Sequence, residues 1–288
     1  MGLNVYINGE FFEKGQACIS VYDHGLLYGD GVFEGIRAYN GRIFRRHEHV
    51  GRLFRSAEAI ALQIPLSPEQ ISQDMYRTLE LNGLRDAYIR LLVTRGIGLL
   101  GIDPSKCAGP QVVIIADSIE LYPQELYENG LKLIITKTVR TPRYSFDTRV
   151  KSLNYLNNII AKIECLRAGV MEGIMLNTDG KVAECTGDNI FIVKGSQLAT
   201  PPVSACILEG VTRKVVMDLA PEAGLEAVER DMVPEDLYAA DECFLTGTAA
   251  EIVPVVGIDD RQIGDGRPGA HTATLLSMFR EETEKDPG

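Results

Sequence analysis

Between residues 3 and 46, apolar and polar positions alternate in short runs closed by glycine: "NVYING", "ACISVYDHG" and "GRIFRR". A period of two broken at glycines predicts β-hairpins. The period then lengthens. In "HVGRLFRSAEAIALQI", Val50, Leu53, Phe54, Ala57, Ala61 and Ile64 recur at helical spacing, which predicts a helix over 50–64. "LSPEQISQDMYRTLELNG" carries a complete set of helix signals: Ser67 as N-cap, Pro68 at the first helical position, Gln70 closing a capping box and Gly83 at the stop. "AYIRLLVTRG" and "PQVVIIAD" return to strand patterning.

The pattern stops around Pro123, within "SIELYPQEL" (118–126). This predicts a small N-terminal α/β domain over 1–118, an interdomain loop over 119–126 and a larger domain over 127–288. The second half opens with the strand "LKLIITKT" and a helix over 152–168 whose apolar face is Leu153, Leu156, Ile160 and Ile163. A hairpin in "GIMLNTDGKVAE" turns at 177–180, and the strand "IFIV" follows. The helix "GVTRKVVMDLA", the strands "ECFLTG" and "EIVPVV" and a last helix from about Gly269 complete the chain. Hairpin-linked and helix-linked strands together predict an α/β protein: a small α+β lobe and a larger mixed α/β lobe.

Composition narrows the function. An apolar content of 45% over 288 residues supports a sizeable core. No apolar run reaches the ~18 residues of a membrane-spanning helix, no signal-peptide pattern follows Met1, and Tyr6 stands where a myristoylation signal needs Ser or Thr. The expected location is the cytoplasm. The six cysteines are scattered without C-x-x-C pairs, which predicts free thiols, small buried apolar side chains and no metal site. A net charge of −11 without a basic stripe argues against nucleic acid, and no membrane partner is expected. Acidity does not exclude an anionic ligand, because a guanidinium ~4 Å from a carboxylate contributes roughly 4 kcal/mol where charges farther away are screened.

Several residues could carry chemistry, each with a plain structural alternative. Lys151, in "RVKSLNYLNN", is placed at the mouth of the helix over 152–168, where helix N–H groups favour a neutral, cofactor-holding amine. A solvated lysine fits equally. Tyr155 would lie one turn on, on the same face, or be an ordinary half-exposed tyrosine. Glu184, in "KVAECTGDNIF", is either the wet face of an edge strand or a carboxylate that holds a proton on a heterocyclic nitrogen. Val211 and Thr212 open a helix and offer free N–H groups to an anion. Gly247 and Thr248, in "TGTAAE", offer a tight turn rich in N–H groups. Arg52 lies off its helix's apolar stripe, and Tyr88 and Arg90 share one face of a strand with Arg37 offering a second guanidinium. A core ion pair and a substrate carboxylate both suit Arg90.

In chain order, "DHGLLYGDGVFEGIR", "HVGRLFRSA", "AYIRLLVTRGIG", "VKSLNYLNN", "EGVTR" and "LTGTAAEIVPV" resemble the fold-type IV (class IV) pyridoxal-phosphate enzymes, and most closely the branched-chain amino acid aminotransferases, from about Tyr6 to Phe279. The resemblance implies a fold like that of D-amino acid aminotransferase. It implies a ping-pong transfer of the amino group between Leu, Ile or Val and 2-oxoglutarate, with pyridoxal 5′-phosphate as cofactor. Lys151 would hold the cofactor and move the substrate proton; Glu184 would pair with the pyridine nitrogen and Tyr155 with the ring oxygen. Arg52, Val211, Thr212, Gly247 and Thr248 would grip the phosphate. Thr248, Ala249 and Tyr88 would take the substrate α-carboxylate, Tyr28, Phe33 and Tyr155 the aliphatic side chain, and Arg37 and Arg90 the distal carboxylate of glutamate. It further implies at least a homodimer, with "RGIGLLGID" reaching a neighbouring site. "RTPRYSFDT" (140–148) and "SIELYPQEL" match no motif. A D-amino acid transaminase, an aminodeoxychorismate lyase of the same fold and a non-catalytic binding protein are the alternatives.

Overall fold

Two Asn-Gly turns start and finish the first sheet. Asn8 and Gly9 (φ +51° and +96°) join β1 (Asn4–Ile7) to β2 (Glu10–Glu13), and Asn40 and Gly41 (φ +55° and +81°) join β3 (Gly31–Tyr39) to β4 (Arg42–Ile43). Both central residues need positive φ in such a turn, which asparagine and glycine tolerate. The computed structural model describes residues 2–119 and 122–286. Glu120 and Leu121, in the expected interdomain loop, lie outside the described residues.

The described residues form two compact units: 2–119 with 150–154 and 283–286, and 122–149 with 155–282. In the first, β5 (Ala87–Thr94) and β6 (Gln111–Asp117) complete an antiparallel sheet of order β2-β1-β6-β5-β3-β4. Between β2 and β3, the segment expected to be a hairpin strand ("ACISVYDHG") instead ends in a short helix, α1 (His24–Tyr28). Asp23 caps it, accepting from the Gly25 N–H (2.7 Å) and the Thr94 hydroxyl (2.7 Å), so local capping prevails over alternation.

Helices α2 (Arg46–Ala59) and α3 (Pro68–Asn82) pack on one sheet face. Val50, Leu53 and Ala57 of α2 and Ile71, Met75 and Leu79 of α3 meet Val32, Ile36, Ile89, Leu91 and Ile114 in one core. Each such aliphatic side chain contributes about 1.5–3 kcal/mol. The Ser67–Gln70 capping box forms as the sequence predicts. Helix α2 starts at Arg46, ahead of the expected 50, and stops early because the chain turns left-handed at Ala61 (φ +51°).

The second unit is built on a mixed sheet of nine strands among the described residues. Its elements in chain order are α4 (Gln124–Asn129), β7 (Leu131–Ile135), α5 (Leu156–Arg167), β8 (Glu172–Leu176), β9 (Val182–Cys185), β10 (Asn189–Lys194), β11 (Gln197–Thr200), α6 (Val211–Leu219), β12 (Glu226–Glu229), α7 (Pro234–Tyr238), β13 (Glu242–Gly247), β14 (Glu251–Ile258), β15 (Arg261–Gln262) and α8 (Ala270–Lys285). The order is β12-β11-β10-β13-β14-β7-β8-β9, with β15 on β14. Parallel pairs (β11/β12, β14/β7, β7/β8) sit beside antiparallel ones, the mixed α/β character expected. Helix α4 begins at Gln124, inside the stretch read as a loop.

Helix α5 departs from expectation twice. It starts at Leu156 rather than residue 152, and it buries Asn158, Ala161 and Cys165 instead of its large aliphatic stripe. The small face fits against β8, where a Cβ on Gly173 would meet Cys165 Sγ at 2.5 Å. Leu156, Ile159, Ile160, Ile163 and Leu166 are left 40–65% exposed. The six cysteines are unbonded; four are buried as expected, but Cys18 is exposed and Cys107 half-buried. No described helix is long and apolar enough to cross a membrane.

Candidate active site

The candidate residues divide between the units: Tyr28, Phe33, Arg37, Arg52, Tyr88, Arg90 and Lys151 belong to the first, and Tyr155, Glu184, Val211, Thr212, Gly247, Thr248 and Ala249 to the second.

In the first unit, alternation along β3 sends Val32, Glu34, Ile36 and Ala38 to the helix-covered face and Phe33, Gly35 and Arg37 to the other. Leu92, Arg90 and Tyr88 of β5 stand directly opposite Phe33, Gly35 and Arg37. Gly35 is needed for close approach: a Cβ there would fall 1.9 Å from the Tyr88 hydroxyl. The Arg90 guanidinium lies over the rings of Phe33 (4.7 Å) and Tyr88 (5.4 Å), and Arg37 lies over Tyr39 (4.9 Å). The Lys151 amine is 4.6 Å from the centre of the same Phe33 ring. The structure therefore gathers Phe33, Arg37, Tyr88, Arg90 and Lys151 on one face of this sheet. Tyr28 is elsewhere in the unit, exposed on α1, with its hydroxyl accepting from the Gly101 N–H (2.8 Å) and so tied to the "GLLGID" loop.

Lys151 is not at a helix mouth, which corrects the local argument for it. Its carbonyl accepts from the Phe33 N–H (2.9 Å), and its own N–H donates to Ser56 Oγ on α2 (3.1 Å). The Leu153 N–H donates to the Gly31 carbonyl (2.9 Å), which continues the pairing with β3. Residues 150–154 thus bend past β3, bridging it at Val32 and Ser152, rather than coiling into α5. Tyr155 becomes the N-cap residue of α5, so the expected one-turn spacing of lysine and tyrosine on a helix does not exist.

Arg52 is only 5% exposed, contrary to its reading as off the apolar stripe. Its Nε and Nη2 donate to the two oxygens of Glu34 (2.7 and 2.8 Å), and His49 Nδ1 donates to Glu34 Oε2 (2.8 Å). Burial alone would push the Glu34 carboxyl up; the Arg52 charge and these hydrogen bonds outweigh it and hold the group well below the usual carboxylate range. Burial also lowers His49, against the pull of Glu34 and with help from the Arg52 and Lys151 charges. Glu34 and His49 were missed in the sequence. The available signal was a carboxylate interrupting the apolar face of β3.

In the second unit, Glu184 on β9 is 5% exposed, so it is not the wet face of an edge strand. Oε1 pairs with Arg140 Nη2 (2.6 Å); Oε2 accepts from Asn189 Nδ2 (3.0 Å) and the Leu208 N–H (2.9 Å). Arg140 is oriented by Asn158 Oδ1 (2.9 Å), and Asn158 in turn donates to the Thr186 carbonyl (2.8 Å). Arg140 lies in the stretch that matched no motif, and neither it nor Asn189 was anticipated.

Helix α6 begins at Gly210, an N-cap with no side chain to bond the first N–H groups, and both Val211 and Thr212 are buried. A buried, uncapped helix start is an anion site by its unmet donors and dipole. After β13 the chain turns through Gly247, Thr248 and Ala249, all half-buried. Gly247 presses on Asp188, whose Oδ1 would lie 1.9 Å from a Cβ there. The neighbouring Thr246 hydroxyl is buried with no hydrogen-bond partner among the described residues.

Known proteins share this arrangement of sequence and fold. The class IV aminotransferase pattern matches residues 31–258. A Methanocaldococcus jannaschii protein, provisionally named a branched-chain-amino-acid aminotransferase, is 50% identical over 279 residues, 97% of this chain and 96% of that one. D-alanine aminotransferase of Bacillus licheniformis is 34% identical over 96% of each chain. The Escherichia coli branched-chain amino acid aminotransferase structure superimposes with a TM-score of 0.95 at 34% identity, covering 100% of this chain and 98% of that one. The Thermobaculum terrenum enzyme of the same name, solved in its PLP holo-form, gives 0.89 at 30% identity, covering 99% and 95%. The fold is that of the fold-type IV enzymes, and the chain belongs to the class IV aminotransferase family.

Proposed function

We propose that this protein is a pyridoxal 5′-phosphate-dependent aminotransferase that moves the amino group between branched-chain L-amino acids and 2-oxoglutarate. The observation that carries the reading is the Phe33 ring, with the Lys151 amine 4.6 Å from its centre and the Arg90 guanidinium 4.7 Å from it. An amine, an apolar wall and a cation meet on one sheet face. That combination suits an enzyme that must accept both an aliphatic side chain and the charged one of glutamate. Against the D-amino acid alternative stands the pair of Tyr88 and Arg90 together with "VFEGIR", which looks like the branched-chain pattern, and the lyase alternative leaves Arg90 and Arg37 without a purpose.

The residues present fit the cofactor. An uncapped, buried start of α6, the Arg52 guanidinium and the Gly247–Thr248 turn are suited to its phosphate, and a buried carboxylate to its ring nitrogen. When bound, pyridoxal 5′-phosphate supplies a sink for the electron pair left on the substrate Cα. Lys151 would hold it and carry the proton to and from Cα. Glu184 would keep a proton on the pyridine nitrogen, and Tyr155 would donate to the ring oxygen. Thr248, Ala249 and Tyr88 would orient the α-carboxylate, Tyr28, Phe33 and Tyr155 would exclude water from the aliphatic side chain, and Arg37 with Arg90 would hold the distal carboxylate of glutamate. Glu34 fixes the fork of Arg52 so that it enters this work with little orientational freedom to lose.

The uncovered aliphatic stripe of α5, together with Leu99, Leu100 and Ile102 in the "GLLGID" loop, supports a homo-oligomer. In it that loop would reach a neighbouring site. A cytoplasmic location goes with this reading. The direct test of specificity is a panel of L- and D-amino acids with 2-oxoglutarate, following the oxo acid formed. Activity with L-leucine, L-isoleucine and L-valine is expected. Activity confined to D-amino acids, or none with any amino donor, would contradict the proposal.

A further inference from the structure

Asn189, the first residue of β10, donates twice through its side-chain amide. Its Nδ2 donates to Glu184 Oε2 (3.0 Å) and to the Leu208 carbonyl (3.0 Å), while the Leu208 N–H donates back to the same Glu184 oxygen (2.9 Å). Amide, carboxylate and peptide unit therefore close a ring two residues ahead of the N-cap of α6. Asn189 Oδ1 faces that N-cap: a Cβ on Gly210 would fall 2.0 Å from it. Gly210 has φ −67° and ψ 134°, a conformation open to any residue, so the glycine serves close approach and not an unusual backbone. On the other side, Asn189 pairs with Thr246 of β13, immediately ahead of Gly247.

We propose that Asn189 is a positioning residue that holds the Glu184 carboxylate and the first turn of α6 in fixed register, so that the ring nitrogen and the phosphate of one cofactor molecule are engaged together. This rests on the proposed roles of Glu184, Val211 and Thr212. Asparagine suits the position because its amide donates twice without adding charge. The isosteric Asn189→Asp would lose both donors and set a second carboxylate against Glu184. A buried ring of this kind has little slack, since moving any member leaves a polar group unpaired.

The test is titration of the apo-protein with pyridoxamine 5′-phosphate, which has no aldehyde and cannot bond covalently to Lys151. Asn189→Ala should weaken its binding about tenfold or more, because the Glu184 carboxylate and the first turn of α6 are no longer held in register for one ligand. The 31P resonance of the bound ligand should move, although Asn189 reaches the phosphate only through α6. The apo-protein's melting temperature should fall by roughly 2–12 °C, as expected for a buried polar group left unpaired. Two variants report on the underlying roles: Glu184→Gln, and Val211→Pro, which deletes one N–H at a helix position and after a residue that both accept proline. If these two weaken binding while Asn189→Ala binds as the parent does, with an unmoved resonance, the proposal is wrong and the site reading stands. If neither of the two weakens binding, the site reading fails and the proposal with it. Should Asn189→Ala not fold, Gly210→Ala decides, because it keeps Asn189 and pushes its amide aside. A similar loss of affinity supports the proposal, and parent-like affinity overturns it.

Discussion

The two units each bury a carboxylate against an arginine, yet the pairs differ in which partner holds the other in place. Glu34 is 0% exposed and grips Arg52 with both oxygens while His49 holds one of them. Glu184 is itself gripped, by Arg140, Asn189 and the Leu208 N–H, and retains a little exposure. In the first pair the carboxylate is the support and the guanidinium is presented; in the second the arginine is the support and the carboxylate is presented. A buried ion pair is thus not a function in itself, and the direction of support has to be read from the remaining partners, since by burial alone Arg140 (8% exposed) and not Glu184 (5%) would be the presented group.

Breaking the two pairs should separate them. Glu34→Gln leaves Arg52 buried without its counter-charge and should cost about 3–5 kcal/mol of stability, measured by urea unfolding. At saturating cofactor its turnover should stay within about tenfold of the parent, since the residue acts only through Arg52. Glu184→Gln should bind the cofactor more weakly but still load at saturating concentration, and lose about a hundredfold or more in turnover, because a neutral amide no longer holds the proton on the ring nitrogen. Equal turnover losses in the two variants at saturating cofactor would erase the distinction.

A narrower test lies on the sheet face beside Lys151. Arg90→Ala should weaken use of glutamate about tenfold more than use of leucine, as expected for one lost charged hydrogen bond. Equal losses in the two specificity constants would remove Arg90 from the distal-carboxylate role.

The smallest effect concerns acid. His49 and Glu34 both have folded pKa values below their ordinary ones, so the unfolded chain binds more protons and stability falls as pH falls. The His49 share should start to go below about pH 6.5 and the Glu34 share below about pH 4.3, their unfolded values. Melting temperatures between pH 7.5 and 4 check this. His49→Gln should flatten the upper part of the curve and leave the lower part.

What the chain discloses by itself follows the range of the interactions involved. The Ser67–Gln70 capping box is legible because donor and acceptor are three residues apart. The apolar face of "AYIRLLVTRG" is legible because a strand's period is local. The start of α5 is not, because residues 150–154 are held by Phe33 and Ser56, more than ninety positions away in the case of Ser56. Lys151 is marked by the motif around it, while the helix mouth that the local pattern predicts for it is absent. Arg52 was noticed as a polar residue on a helix, but its meaning depends on Glu34, eighteen residues earlier. Arg140 reaches Glu184 from a stretch with no period and no motif, and nothing local marks it.

The central claim is that Lys151 carries the cofactor, and one measurement addresses it directly. The protein loaded with pyridoxal 5′-phosphate is reduced with borohydride, digested and examined by mass spectrometry. The account predicts a single reduced-cofactor adduct on the peptide containing Lys151, and none in Lys151→Ala. An adduct on a different lysine of the parent protein, or no adduct at all, would contradict it.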